Sequence, residues 1–257
     1  MTNFSNPESL QMPAEWEKQK STWIAWPHNK KDWPNKFDPI PDIFAEIIFH
    51  ISKDQTVNIL VENNSLKKNA TAILKNFKVN FLNIKFTLCK TNRVWLRDSF
   101  PIFVKNNNNK KFLINWDFNS WAKYKNFEKD NNIINKIKKI LKLNSISPIL
   151  NKRKVVLEGG AIDVNGKGVL ITTEECLLSR VQQRNPGLKK TDYEKLFNKY
   201  FGIEKVLWLK KGIVGDDTHG HVDDLARFVS EKKIFLAHEN NRKDANYKIL
   251  RNNFKII

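Results

Sequence analysis

Cysteine is scarce in these 257 residues: there are two, Cys89 and Cys176. That excludes a disulfide framework and points to a reducing, cytoplasmic setting in which both thiols are structural. Long apolar runs are missing as well. None approaches the roughly 20 residues that a membrane-crossing helix requires, so no membrane partner is expected. Residues 1–6, Met-Thr-Asn-Phe-Ser-Asn, lack the basic region and apolar stretch of a secretory signal. No internal linker and no exact repeat interrupts the chain. What is plentiful is apolar and aromatic material. Hydrophobic residues make up 40% of the chain, with 17 Phe and 8 Trp, ample for a buried core in one domain.

Acidic residues are also in short supply: 27 Asp and Glu stand against 45 Lys and Arg, a formal charge of +18. Such a balance raises the question of nucleic acid. The lysines are spread along the whole chain and mixed with asparagines, as in residues 105–111, the pattern of AT-rich codon usage acting on surface positions. No basic helix and no aromatic-basic sheet motif stands out. Weak, salt-sensitive attraction to polyanions is expected, and no specific nucleic-acid partner. The global field would also repel a cationic ligand, so a site for one needs local acidity.

Local acidity is found at residues 215–224, Gly-Asp-Asp-Thr-His-Gly-His-Val-Asp-Asp. Its Gly and Asp content predicts a loop, and it follows the apolar strand candidate Val206-Leu-Trp-Leu209. Dense proton carriers on a loop beside a strand end are where sites concentrate. An acidic surface turn with two incidental histidines is the plain alternative. Two chemistries fit. His219, His221, Asp223 and Asp224 resemble the His-x-His-x-Asp-His run of metallo-β-lactamase-like hydrolases. Asp224 replaces the last His of that run, and only His238 remains downstream, so ligands are too few. Alternatively, a carboxylate such as Asp223 grips a planar guanidinium through paired hydrogen bonds while His221 moves protons.

Further motifs bear on the choice. Met12-Pro-Ala-Glu-Trp-Glu17 and Ser21-Thr-Trp-Ile-Ala-Trp-Pro-His28 stand near the start; Val94-Trp-Leu-Arg-Asp98 follows, with Pro101 just after. Then come Leu157-Glu-Gly-Gly160, Leu170-Ile-Thr-Thr-Glu-Glu-Cys-Leu-Leu178 and Gly220-His-Val-Asp223. Each is weak alone. Jointly, and in this order, they resemble the agmatine deiminase family, kin of bacterial-type peptidyl-arginine deiminases, from about Met12 onward. The resemblance implies that Asp98 and Asp223 bind the guanidinium from opposite edges and that Glu158 faces its remaining side. It implies that His221 protonates the departing ammonia and deprotonates the incoming water. Trp95 is placed either as an apolar wall beside the substrate or in the core. Trp16, Trp23 and Trp26 are read as core and turn anchors, and His219 as a loop support. Structural alternatives are an Asp98–Arg97 salt bridge and a turn-capping Glu158.

One departure stands out. The family's nucleophile is a cysteine in a Gly-rich, His-containing segment that is not found in these residues. Cys89 falls in a strand pattern, and the acidic neighbours of Cys176 would raise its pKa, the wrong direction for a reactive thiolate. The expectation is therefore a truncated catalytic domain, 1–257, that is inactive as given. The implied reaction converts agmatine and water to N-carbamoylputrescine and ammonia through a covalent cysteine adduct. It needs no metal and no organic cofactor. The substrate would be a small cationic guanidine, and the intact family member could form a homo-oligomer. Peptidyl-arginine deimination, a non-catalytic guanidinium-binding remnant, and a metal-dependent hydrolase using His219, His221 and Asp223 are the alternatives.

Strand and helix patterns alternate. Helix candidates are residues 43–52, 66–77, 131–143, 192–201 and 244–254; Thr191-Asp-Tyr-Glu194 is read as a capping box. Strand candidates are 57–61, 84–89, 102–104, 112–115, 155–157, 169–172, 206–209, 226–229 and 234–237. Turns are read at 106–109 and 165–168. Periodicity alone predicts mixed α/β. The resemblance implies a pentein-type α/β propeller of strand–strand–helix–strand modules, of which this chain would cover three and part of a fourth.

Overall fold

The computed structural model describes residues 9–257; the reading of residues 1–6 lies outside them. The first module runs β1 (Ser21–Ala25), α1 (Ile40–Ile51), β2 (Thr56–Val61), α2 (Asn64–Asn76) and β3 (Ile84–Leu88), with all three strands parallel in the order β1-β2-β3. Parallel neighbours need crossovers, and α1 and α2 supply them. After the short turn α3 (Leu96–Ser99) the pattern changes. The hairpin β4 (Ile102–Lys105) and β5 (Lys111–Ile114) is followed by α4 (Glu128–Asn131), α5 (Ile133–Leu141) and β6 (Asn144–Ile146), which pairs parallel with β5.

A two-stranded ribbon, β7 (Ile149–Leu150) and β8 (Arg153–Lys154), leads to the third module. There β9 (Ile162–Val164) and β10 (Val169–Thr173) form a hairpin; α6 (Glu174–Leu178) and α7 (Lys190–Phe201) then carry the chain to β11 (Lys205–Leu209), parallel to β10. The hairpin β12 (Ala226–Ser230) and β13 (Lys233–Leu236), followed by α8 (Tyr247–Phe254), repeats the order. This is the module plan of the pentein-type α/β propeller.

Apart from the β7–β8 ribbon, each sheet buries an apolar face under its own helices. Trp26, Ile48, Val57, Ile59 and Leu74 pack together in the first module, and Leu170, Tyr193, Phe197 and Phe201 in the third. The largest cluster also takes Ile102, Val104, Ile114 and Trp116 from the second module, so neighbouring modules share a core. Three short turns, Leu96–Ser99, Gly159–Ala161 and Val222–Asp224, come from three modules and pack on one another. They hold the site. No helix among the described residues is long and apolar enough to cross a membrane.

Several expectations change. Residues 155–157 are not a strand; Val156 makes a single bridge to Asp117. All three are buried rather than alternating. The Asn185 amide takes the place of a ladder there, accepting from Val156 N and donating to Val156 O, both at 2.8 Å. Helix 131–143 divides at Asn132 and ends at Leu141, where Lys142 turns left-handed at φ 53°. The capping box is displaced: α7 begins at Lys190, and Asp192 accepts Lys189 N at 2.9 Å. Glu194 instead accepts the indole N–H of Trp208 at 2.9 Å. Trp26 is a core residue, but Trp16 is 44% exposed.

Candidate active site

Asp98 sits in α3 with 8% of its surface exposed. Its Oδ2 accepts the indole N–H of Trp121 at 3.0 Å and its Oδ1 accepts Gly160 N at 3.1 Å. The alternative pairing with Arg97 does not form. Burial pushes the Asp98 carboxyl up to about 6, and the charges of Glu158 and Asp223 add to this; His221 and the Trp121 hydrogen bond oppose it.

Glu158 is fully buried and does not cap the turn that follows it. Its Oε1 accepts from Arg184 Nε at 3.0 Å in an ion pair with no exposure on either side chain. Arg184 also donates to the carbonyls of Gln182 and Thr218, so it ties Glu158 to the acidic loop. Glu158 Oε2 has no hydrogen-bond partner and lies 4.0 Å from His221 Nε2, likewise unpartnered.

The acidic loop is built around Asp216. Its carboxylate accepts from the backbone N–H groups of Thr218, Gly220 and His221, at 2.7, 2.6 and 3.0 Å. Burial opposes its ionisation, but the hydrogen bonds from Thr218, Gly220 and His221 win and hold the carboxyl below its usual range. Gly220 has φ +95°, a left-handed turn that glycine permits, and it presents His221 inward. His221 Nδ1 then stands 3.7 Å from Asp98 Oδ1 and 3.8 Å from Asp223 Oδ1. Gly160 makes the close approach possible. A Cβ there would lie 2.5 Å from His221 Nδ1, 2.7 Å from Asp98 Oδ1 and 2.9 Å from Asp223 Oδ2.

Four of the residues singled out in the sequence, Asp98, Glu158, His221 and Asp223, thus lie in one cluster. Others lie elsewhere. His219 turns its Nε2 to Ser179 Oγ at 3.1 Å. Asp217 is exposed and paired with Lys123 and Tyr124. Asp224 is exposed, its carboxyl raised to about 6 by burial of its inner edge and by Asp216 and Asp223. Trp95 is 43% exposed and packs on Trp33 with ring centroids 5.8 Å apart, so it is not a core residue. The His219, His221 and Asp223 set of the metallohydrolase alternative is not a metal-ligating group among the described residues.

Cys176 is buried at the start of α6, with its sulfur near Glu158 and His221. Its pKa is raised well above the usual thiol value, as expected, but the cause differs. Burial dominates; Glu158, Asp98 and Asp216 add to it, against Arg184. The sequence neighbours point away: Glu174 pairs with Lys190 and Lys210, and Glu175 accepts Gly212 N. Cys89, just past β3, is half-buried and also raised, first by burial.

Sequence reasoning missed two neighbours of the cluster, Arg184 and Trp121, and gave a third, Arg97, a different partner. Arg184 lies in a polar stretch, Arg180-Val-Gln-Gln-Arg184, that carries no periodic signal. Trp121 lies in the left-handed run Ser120, Trp121 and Ala122, with φ 55, 60 and 52°, which no local propensity announces. Arg97 leaves Asp98 for Asp223 Oδ2 at 3.4 Å and for Glu15, which also pairs with Arg227.

The profile of the Porphyromonas-type peptidyl-arginine deiminases matches residues 11–257. An agmatine deiminase of Pseudomonas aeruginosa is 31% identical over 96% of this chain and 65% of its own length. The chain spans just under two thirds of the length of several curated relatives that it matches. Agmatine deiminase of Enterococcus faecalis superposes with a TM-score of 0.85 at 30% identity, over 96% of this chain and 66% of that one. A C. jejuni agmatine deiminase with substrate bound superposes with a TM-score of 0.84 at 29% identity, over 100% of this chain and 73% of that one. With sequence and fold agreeing over nearly every residue described, the chain belongs to the Porphyromonas-type peptidyl-arginine deiminase family.

Proposed function

We propose that the cluster is the guanidinium-binding and proton-transfer part of an agmatine deiminase site. The observation that carries this is the convergence of Asp98, Glu158 and Asp223 on one buried imidazole, with Glu158 Oε2 and His221 Nε2 left unpartnered. Unpaired buried polar atoms are costly, and a planar cation with five N–H donors is suited to satisfy them. Asp98 and Asp223 grip the cation, Glu158 faces its remaining side, and His221 hands a proton to departing ammonia and takes one from water. The site draws on three modules, so the chain is read as one catalytic domain.

The chemistry also requires a thiolate to attack the guanidinium carbon. Burial raises the pKa of both Cys89 and Cys176, which suits neither thiol to that role. These 257 residues are therefore proposed to bind agmatine without turning it over. Two free thiols fit a cytoplasmic protein. Calorimetry with agmatine, putrescine and an N-acetyl-arginine amide tests the reading. Saturable agmatine binding is expected, with putrescine much weaker and Asp223→Asn abolishing the signal. Putrescine binding as tightly as agmatine would refute a guanidinium cradle. Tighter binding of the arginine amide would shift the substrate to peptidyl-arginine. Ammonia release that Cys176→Ser removes would show that a buried thiol had been recruited.

A further inference from the structure

We propose that Glu158, Cys176 and His221 form a binding site for a thiophilic divalent cation of the zinc class, and that such a cation and a guanidinium exclude one another there. One donor atom from each residue lies within 4.8 Å of the other two, and all three residues are buried. Two atoms that these residues can offer, Glu158 Oε2 and His221 Nε2, have no hydrogen-bond partner, in residues only 0% and 2% exposed. Two unsatisfied buried atoms facing each other at 4.0 Å call for something positive between them. The third donor is a sulfur held in place from behind, because Thr173 Oγ1 accepts Cys176 N at 3.0 Å at the start of α6.

The surroundings suit ligation. A metal-binding imidazole usually turns its other ring nitrogen towards a carboxylate. His221 Nδ1 faces Asp98 Oδ1 at 3.7 Å and Asp223 Oδ1 at 3.8 Å, which favours the tautomer that frees Nε2. Arg184 holds Glu158 Oε1 and so aims Oε2 inward. Its charge opposes a cation; Asp98, Asp216 and Asp223, grouped about the same imidazole and thiol, offset it. Zinc bonds of about 2.0–2.3 Å at tetrahedral angles place donors roughly 3.3–3.7 Å apart, so closure needs movements of about an ångström or less. Three protein ligands leave the fourth position to water. A thiolate selects zinc or cadmium over magnesium or calcium. On binding, the S–H bond of Cys176 breaks, a sulfur–metal bond forms and the proton leaves to solvent; nothing is oxidised or reduced. This set differs from the metallohydrolase alternative, because His219 is turned away to Ser179.

The exclusion half of the proposal rests on the guanidinium reading; the metal half does not. The test titrates the chelator-treated 257-residue chain with cadmium and follows the thiolate-to-cadmium charge-transfer absorbance. Saturation at one equivalent is expected, unchanged in Cys89→Ala, abolished in Cys176→Ser and weakened on the order of 100-fold or more in His221→Gln. Zinc should displace cadmium, and magnesium should not. Calorimetry in buffers of different ionisation enthalpy should count about one proton released per cadmium, a measure that needs no variant. Saturating cadmium should weaken agmatine binding at least about tenfold. Absorbance that survives Cys176→Ser, or binding without proton release, overturns the metal site. Agmatine binding in a protein that gives no cadmium signal overturns it too and leaves the deiminase reading standing. Cadmium binding that leaves agmatine affinity unchanged overturns the exclusion.

Discussion

Replacing Asp98 by Asn should separate stability from binding, and pH gives the means to see it. The Asp98 carboxyl is raised from 3.8 to about 6, first by burial. A folded-state value above the unfolded one means that the native state holds its proton more tightly. Ionising Asp98 therefore costs the folded protein nothing below about pH 4, and the cost is complete above about pH 6. The size follows from the two values and comes to about 3 kcal/mol. Asn carries no such cost. It does carry a fixed one, because its NH2 group replaces one of the two oxygens that accept from Trp121 Nε1 and Gly160 N and sets a donor against a donor, worth about 1–3 kcal/mol. That second penalty does not depend on pH. Urea unfolding of both proteins from about pH 4 to about pH 7 should thus show Asp98→Asn gaining about 3 kcal/mol relative to the parent as pH rises. Agmatine should respond in the opposite sense. Its cation needs the ionised carboxyl, so parent affinity should tighten about tenfold between about pH 5 and about pH 7. The variant should bind weakly at every pH. A stability difference that stays flat across this range, or agmatine affinity that ignores both pH and the substitution, would refute the reasoning.

Gly160→Ala should weaken agmatine binding on the order of 100-fold or more, measured by calorimetry, because the new methyl would collide with His221, Asp98 and Asp223 and force them out of place. Unimpaired binding would mean that the three groups are not held at their present separations. Arg184→Met leaves Glu158 buried and unpaired and should cost about 3–5 kcal/mol in urea unfolding, with much of the loss recovered in the double variant Glu158→Gln/Arg184→Met. Additive single effects would show that the pair is not coupled.

Much of the frame was legible because it rests on long apolar patterns. The parallel and hairpin strands around residues 57–61, 169–172 and 206–209 carry continuous or alternating apolar runs, and α1, α2 and α7 have an apolar face. Strands of three residues, such as β6 and β9, are too short to show a period, and residues 155–157 read as a strand only because burial on all sides looks the same as a sheet interior. The cluster itself was visible as motifs. What no local pattern could reveal is what arranges it. Arg184 reaches Glu158 across 26 residues from an irregular stretch, and Trp121 reaches Asp98 across 23 from a single left-handed turn. Such contacts exist only once modules have packed. The cause of the Cys176 shift escaped for the same reason: its sequence neighbours are acidic, but the charges that act on it arrive from β9's approach, α3 and the acidic loop.

The same long-range arrangement reconciles a formal charge of +18 with the proposed cradle for a cation. Surface lysines act through water and salt, where a unit charge about 10 Å away is already largely screened. The carboxylates of Asp98, Glu158 and Asp223 act at contact distance in a poorly solvated interior, where one pair about 4 Å apart is worth about 4 kcal/mol at an effective dielectric near 20. Contact therefore outweighs the global field, provided the carboxylates stay charged. Crowding already tells at Asp98, whose carboxyl is raised first by burial and then by the charges of Glu158 and Asp223. Arg184 limits it by matching one negative charge, and Arg97 borders a second at Asp223. What remains is an excess of negative charge that suits the proposed guanidinium cradle.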